Sequence, residues 1–170
     1  MKKLILAAMA AALSISAFAQ TAQKTERIKI NTYSSLTNNF TTYSNLVSDV
    51  DGNRLSGSMV FRVNDKNVIF FGYVPRGELD NLVHFLENAK EQIEKKPDND
   101  VIFNFESSEG CEVRVEYIKD GGQLLGWQLC VQTDSLSLRT ESSVKASNIE
   151  KLIKDVRDCM AKIDSFLAGE

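Results

Sequence analysis

Histidine is almost absent from this chain of 170 residues: His84 stands alone, beside three scattered cysteines, Cys111, Cys130 and Cys159. That set does not assemble the usual tetrahedral zinc site of four Cys/His ligands. Two prolines and nine glycines are too few for collagen-like or proline-rich segments, and no Gly/Ser-rich linker divides the chain. Positive charge is not in excess either. With 20 Lys and Arg against 23 Asp and Glu, the net charge is −3, which leaves no broad electrostatic footprint for nucleic acid. A phosphate-cradling glycine loop, a G-x-S-x-G elbow and an H-E-x-x-H pair are all missing. The 43% hydrophobic content excludes a disordered chain, so what remains is an ordinary globular domain.

The first segment reads as an address. In MKKLILAAMAAALSISAFA, Lys2 and Lys3 form a positive start, an apolar stretch follows, and Ala17 and Ala19 make an A-x-A cleavage site. Its uninterrupted apolar run is about half the roughly 20 residues that span a bilayer. Residues 1–19 are therefore expected to be a cleaved signal peptide, and no Cys follows the cleavage point to take a lipid anchor. The expected setting is periplasmic or extracellular, without membrane insertion after cleavage. Residues 20–170 then form a single domain, and losing Lys2 and Lys3 takes its net charge to −5. All three cysteines would enter an oxidising compartment.

That domain repeats itself. Within 78–95, Leu79, Leu82, Val83, Leu86 and Ile93 share one helical stripe. Within 148–166, Ile149, Leu152, Ile153, Val156 and Ile163 do the same, each 70 residues later. Met59, Phe61 and Val63 alternate against Leu129, Val131 and Thr133 at the same offset, and Gly52 maps onto Gly122. Repeat units of about 26–96 and 98–168 follow. Strands are expected near 26–33, 40–49, 55–64 and 67–74, and near 100–106, 111–119, 124–133 and 135–141. Runs of strands followed by a helix predict an α+β fold from a duplicated ββββα unit. The expected architecture is an antiparallel sheet of seven to eight strands with two amphipathic helices on one face. Ser147 and Asn148 are candidate N-caps for the second helix, and Pro97 is a candidate stop for the first.

The stretch Gly72-Tyr73-Val74-Pro75, followed by Glu78-Leu79-Asp80-Asn81-Leu82-Val83, resembles a Y-x(n)-E-[LI]-x-x-L-[ILV] helix start. That motif occurs in a loosely defined group of uncharacterised secreted bacterial proteins, common in Bacteroidetes, with β-rich flanks and a second similar helix. The resemblance implies this fold pattern and an envelope or extracellular setting; it brings no activity and no catalytic residue. In outline the duplication is also similar to secreted β-lactamase inhibitor proteins, by architecture alone.

Candidate chemistry is sparse. For the hairpin carrying Cys111 and Cys130, a two-residue turn at 120–121 would set the two cysteines opposite each other. A three-residue loop at 120–122 matches the faces better, pairing Val113, Val115 and Tyr117 with Leu129, Trp127 and Leu125. It sends the two cysteines to opposite faces. A Cys111–Cys130 disulfide, a Cys111–Cys159 disulfide and free buried thiols all stay open. His84, on the solvent side of its helix, reads as a surface residue. Asp49, Asp51 and Asn53 alternate like cation ligands, but the Glu that an EF-hand loop needs is missing and a hairpin turn wants the same residues. Asp134-Ser135-Leu136 resembles the short O-glycosylation site of Bacteroidetes secreted proteins.

The most informative stretch is 68–74, where alternation is lost: Val68, Phe70 and Val74 on one side, Ile69, Phe71 and Tyr73 on the other. Helices on one side explain only one set. The second set is either covered by the chain itself, for instance by 33–45, or is a partner-binding patch of Ile69, Phe71 and Tyr73. The expectation is a secreted, non-catalytic binding or accessory protein acting through the sheet face away from the helices. No cofactor, no metal and no catalytic residue is assigned; the partner is an unidentified protein or small apolar ligand, and an oligomer is open. The runners-up are a small envelope enzyme with a site of dispersed residues and a protein inhibitor or assembly component.

Overall fold

The computed structural model describes residues 22–34, 39–65, 68–119, 126–135 and 138–170. The signal-peptide reading of 1–19, the turn glycines Gly121 and Gly122, and the glycosylation reading at 134–136 fall outside those residues or on side chains not described.

Eight strands form, as the alternation predicts: β1 (Gln23–Ser34), β2 (Asn39–Asp49), β3 (Arg54–Asp65), β4 (Val68–Pro75), β5 (Val101–Glu106), β6 (Cys111–Tyr117), β7 (Gln128–Ser135) and β8 (Leu138–Lys145). Each set of four is followed by a short 3-10 turn and a helix, α1 (Leu79–Lys90) and α2 (Ile149–Ala168). The α+β fold and the doubled ββββα order hold. The expected single sheet does not: the strands divide into β1-β2-β3-β4 and β5-β6-β7-β8, antiparallel throughout. The chain leaves β4 through α1, and β5 starts at the far edge of its own sheet. Hence β4 meets β6 and β7 rather than β5, and one bridge, Tyr73 to Glu109, links the sheets.

The 70-residue offset extends to the hydrogen-bond register. Met59 pairs with Val74 and Leu129 pairs with Val144, and both 3-10 turns and both helices begin 70 residues apart. Upstream the copies drift. In the β2–β3 hairpin Ser44 pairs with Met59, whereas Val115, not residue 114, pairs with Leu129. The expected pairing of Val113 with Leu129 is likewise off by two residues: Val113 faces Val131. A two-residue slip preserves faces. Trp127 lies outside this ladder, stacked on Phe103 (6.1 Å) and donating its Nε1 to the Lys95 carbonyl at 2.8 Å.

One apolar core serves both units, with Phe40, Met59, Phe61 and Val74 from the first sheet, Val113, Val115, Leu129 and Val131 from the second, and Leu82, Leu86, Leu152, Val156 and Ile163 from the helices. Burying each large side chain contributes about 1.5–3 kcal/mol. The helices exchange sheets. The strand neighbours of α2 are β1, β2 and β3, whereas α1 lies against β5. Gly57 makes this possible, since a Cβ there would lie 2.4 Å from Ile163 Cγ2. On the helix side the exchange keeps the 70-residue offset. Asp155 of α2 meets Tyr33 of β1, and 70 residues earlier Phe85 of α1 meets Phe105 of β5.

Two helix-end expectations are corrected. Asn148 makes no side-chain cap; its Nδ2 donates back to the Lys145 carbonyl at 3.0 Å, and the 3-10 turn at Ala146–Asn148 leads into the helix instead. The first helix ends at Lys90, well before Pro97, where Gln92 N turns to the Ala89 carbonyl at 2.9 Å.

Candidate functional site

Alternation along β4 sends Phe70, Gly72 and Val74 inward and leaves Ile69, Phe71 and Tyr73 on the outer face of the first sheet. Ladder pairing then fixes their neighbours: Arg62 beside Phe71, Val60 beside Tyr73, Tyr43 beside Val60, and Lys29 beside Tyr43. The described residues of 33–45 run within the sheet as the end of β1 and the start of β2 and do not lie over this face. Ile69 is 48% exposed, and Phe71 and Tyr73 are half-buried.

What covers the two rings is one side chain from the opposite edge. Arg27 of β1 lies across β2 and β3, its guanidinium 4.7 Å from the Phe71 ring centre and 5.7 Å from that of Tyr73. Its Nη2 donates to the Tyr73 hydroxyl at 2.7 Å and its Nε to Asn45 Oδ1 at 3.2 Å. Asn45 Nδ2 continues to Ser58 Oγ at 3.4 Å. Beneath this strap Val60, Asn45 and Ser58 are buried, although no helix packs on that side. A cavity of about 270 Å³ opens next to it, lined by Asn45, Ser56, Ser58, Tyr73 and Glu109 among others. Stacking of a cation on aromatic rings at a partly exposed site is worth about 0.5–1 kcal/mol. The strap is therefore weak enough to be moved by a partner.

The outer face of the second sheet is built on opposite charge. In Glu112-Val113-Arg114-Val115-Glu116 the valines go to the core and the charged residues outward. Arg114 sits 3.8 Å from Glu112 and 3.5 Å from Glu116, and also pairs with Glu141 across the sheet. Burial works against the Arg114 charge, but Glu141, Glu116 and Glu112 outweigh it and raise its pKa above the ordinary value. Glu116, Cys130 and Glu141 bring three metal-capable atoms within 4.8 Å of one another. Burial and the adjoining Glu116 and Glu141 push the Cys130 thiol far up, and its Sγ donates to Glu116 Oε1 at 3.5 Å. Arg114 already takes up the carboxylates.

Each remaining candidate has a definite place. Cys111, Cys130 and Cys159 are three separate buried thiols, so neither disulfide is formed. The register explains it: Cys111 lies opposite Thr133 on the core face, Cys130 opposite Arg114 on the outer face. Cys159 accepts a hydrogen bond from Ser44 at 3.3 Å, and burial pushes its pKa up to about 11. His84 is exposed and faces Asn88 at 3.1 Å. It lines an open groove between the helices that Lys90–Glu150 and Arg157–Glu87 pairs cross. Asp49 spends its oxygens within the turn, accepting from Asp51 N, Asn53 N and Asn53 Nδ2, and these bonds lower its pKa. Tyr33 donates to buried Asp155 at 2.6 Å inside the core, a structural contact with Lys151 over the ring.

Sequence reasoning found the Ile69, Phe71 and Tyr73 face but missed Arg27, which looks like any edge-strand charge in Glu-Arg-Ile-Lys. It grouped Glu112, Arg114 and Glu116 only as a polar set; their E-x-R-x-E spacing was the available signal. No protein-family model matches the chain, and no match is found among curated proteins.

Proposed function

We propose that this is a secreted, non-catalytic binding or accessory protein whose working surface is the outer face of the first sheet. A single observation carries the reading: two aromatic rings on a helix-free sheet face are held under a displaceable arginine rather than under the chain's own backbone. An apolar and aromatic face with a few placed polar groups is the usual composition of a recognition surface. The cavity of about 270 Å³ falls slightly below the usual range for small-ligand sites, which favours a protein partner over a small molecule. A catalytic reading draws less support. The groups with displaced titration, such as Tyr33, Asp49, Glu78, Cys130 and Asp164, belong to separate contacts and do not converge on one cleft. The export signal read at residues 1–19 supports a place outside the cytoplasm.

The test is affinity capture from the native envelope with residues 20–170 as bait, compared with Phe71→Ala and with Leu167→Ala at the exposed end of α2. Loss of the captured species with Phe71→Ala alone is the expected result. Equal capture by all three baits overturns the reading.

A further inference from the structure

The two outer faces are complementary in charge, and both carry charges that find no partner among the described residues. On the first face Arg27, Lys29 and Arg62 stand outward; the carboxylates beside them are Asp49, which the β2–β3 turn occupies, and Glu109, which borders the cavity next to Tyr73. Among the described residues neither Lys29 nor Arg62 makes an ion pair. On the second face Glu106, Glu112, Glu116 and Glu141 stand against Arg114 and Lys145. Glu106 lies directly across the ladder from Glu112, a like-charge pairing that destabilises a sheet unless a cation approaches it. Arg114 reaches Glu112, Glu116 and Glu141; Glu106 is exposed and left over. Both sheets turn their apolar sides to the shared core, so the two charged faces point away from it and outward.

We infer that the partner of the first sheet's outer face is the second sheet's outer face of another copy of this chain, joined head to tail. The inference rests on the binding-face reading above and names its occupant. Lys29 and Arg62 supply the cations that Glu106 lacks and that Glu112 finds only in the shared Arg114, and the strap of Arg27 is free to turn from Phe71 toward a carboxylate of the neighbour. Such an interface is heterologous, so it extends into chains of subunits unless the rotation closes a ring. A face of four strands and about six residues covers roughly 400 Å², below the roughly 800 Å² per partner of a stable complex. The association is thus weak, fast and salt-sensitive.

Sedimentation velocity on residues 20–170 tests it, at protein concentrations from about 10 μM to 1 mM and salt from about 20 to 500 mM. The double variants are Lys29→Glu/Arg62→Glu, with both faces acidic, and Glu106→Lys/Glu141→Lys, with both basic; circular dichroism checks that each is folded. Expected is concentration-dependent association that weakens at least about tenfold in high salt. Each variant alone should lose it by a similar factor, and a mixture of the two should associate again. A monomer throughout overturns the inference, as does association indifferent to salt and to both reversals, which an edge contact through β5 would give. Either result leaves the capture difference of Phe71→Ala standing, so failure of the self-partner is separable from failure of the binding face.

Discussion

The two units close equivalent contacts with side chains of different chemistry. At the position where Asp155 anchors α2 to Tyr33, α1 offers Phe85 against Phe105. Where the first sheet has Gly72, tight against the other sheet, the second has Ser142. Arg76, clamped to α2, is matched by Ala146. One topology thus accommodates opposite local solutions, because the duplicated pattern sets only which positions face the core. What fills them depends on the neighbour each copy meets.

The largest effect is expected at the sheet junction. A Cβ on Gly72 would lie 2.9 Å from Cys111 Cβ, Gly110 O and Thr133 Cγ2, one of which is backbone and cannot turn aside. Gly72→Ala should cost about 2–3 kcal/mol and lower the Tm by about 5–10 °C. Ser142→Ala at the matching position should be neutral or stabilising by up to about 1 kcal/mol, since the buried Ser142 hydroxyl has no hydrogen-bond partner among the described residues. Equal losses in thermal melts would erase the contrast.

The helix anchors come next. Burial and Asp155 push the Tyr33 hydroxyl far above its ordinary pKa, so it is a hydrogen-bond donor at every physiological pH. Tyr33→Phe leaves Asp155 with a 3.4 Å contact from Asn31 and should cost about 1.5–3 kcal/mol. Phe85→Leu, losing only a half-exposed ring contact, should cost about 1 kcal/mol. Urea midpoints measure both, and the reverse order would show that the aromatic copy is the tighter one.

The smallest effect concerns acid. Arg76 donates Nε and Nη2 to Asp164 at 2.7 and 2.8 Å and Nη1 to Asp80 at 2.9 Å, tying the start of α1 to the end of α2. Those bonds hold the Asp164 carboxyl below its ordinary value. A folded-state pKa below the unfolded one means that the contribution is complete at neutral pH. It fades as pH falls below about 4 toward the lowered value. Arg76→Ala should lower the Tm slightly at pH 7 and flatten that acid limb, leaving stability below the lowered Asp164 value unchanged. Superimposable acid limbs would show that the clamp carries no charge linkage.

Particular residues show what was legible. Leu79, Leu82 and Leu86, with Ile149, Leu152 and Val156, announce two helices and their buried stripes, because a period of 3.6 is local chemistry. Phe71 and Tyr73 were placeable on the outer face by alternation alone. Arg27 was not, since only the twist and spacing of four strands decide whether an edge arginine reaches the far edge. Trp127 was likewise illegible: it stacks on Phe103 outside the ladder in which the sequence pattern pairs it with Val115.

Charge sign, period and repeat length were therefore settled by sequence: a low-histidine, mildly acidic chain, built from one ββββα pattern used twice at a 70-residue spacing. Tertiary structure alone decided that the eight strands split into two sheets, that the helices trade partners across them, and that three thiols stay apart. It also gathered cations on one outer face and carboxylates on the other. The physical reason is range. Periodicity is written by neighbours a few residues apart, whereas which sheet a helix covers, and which charge a strand leaves unpaired, follow from contacts distant in sequence, 122 residues for Tyr33 and Asp155.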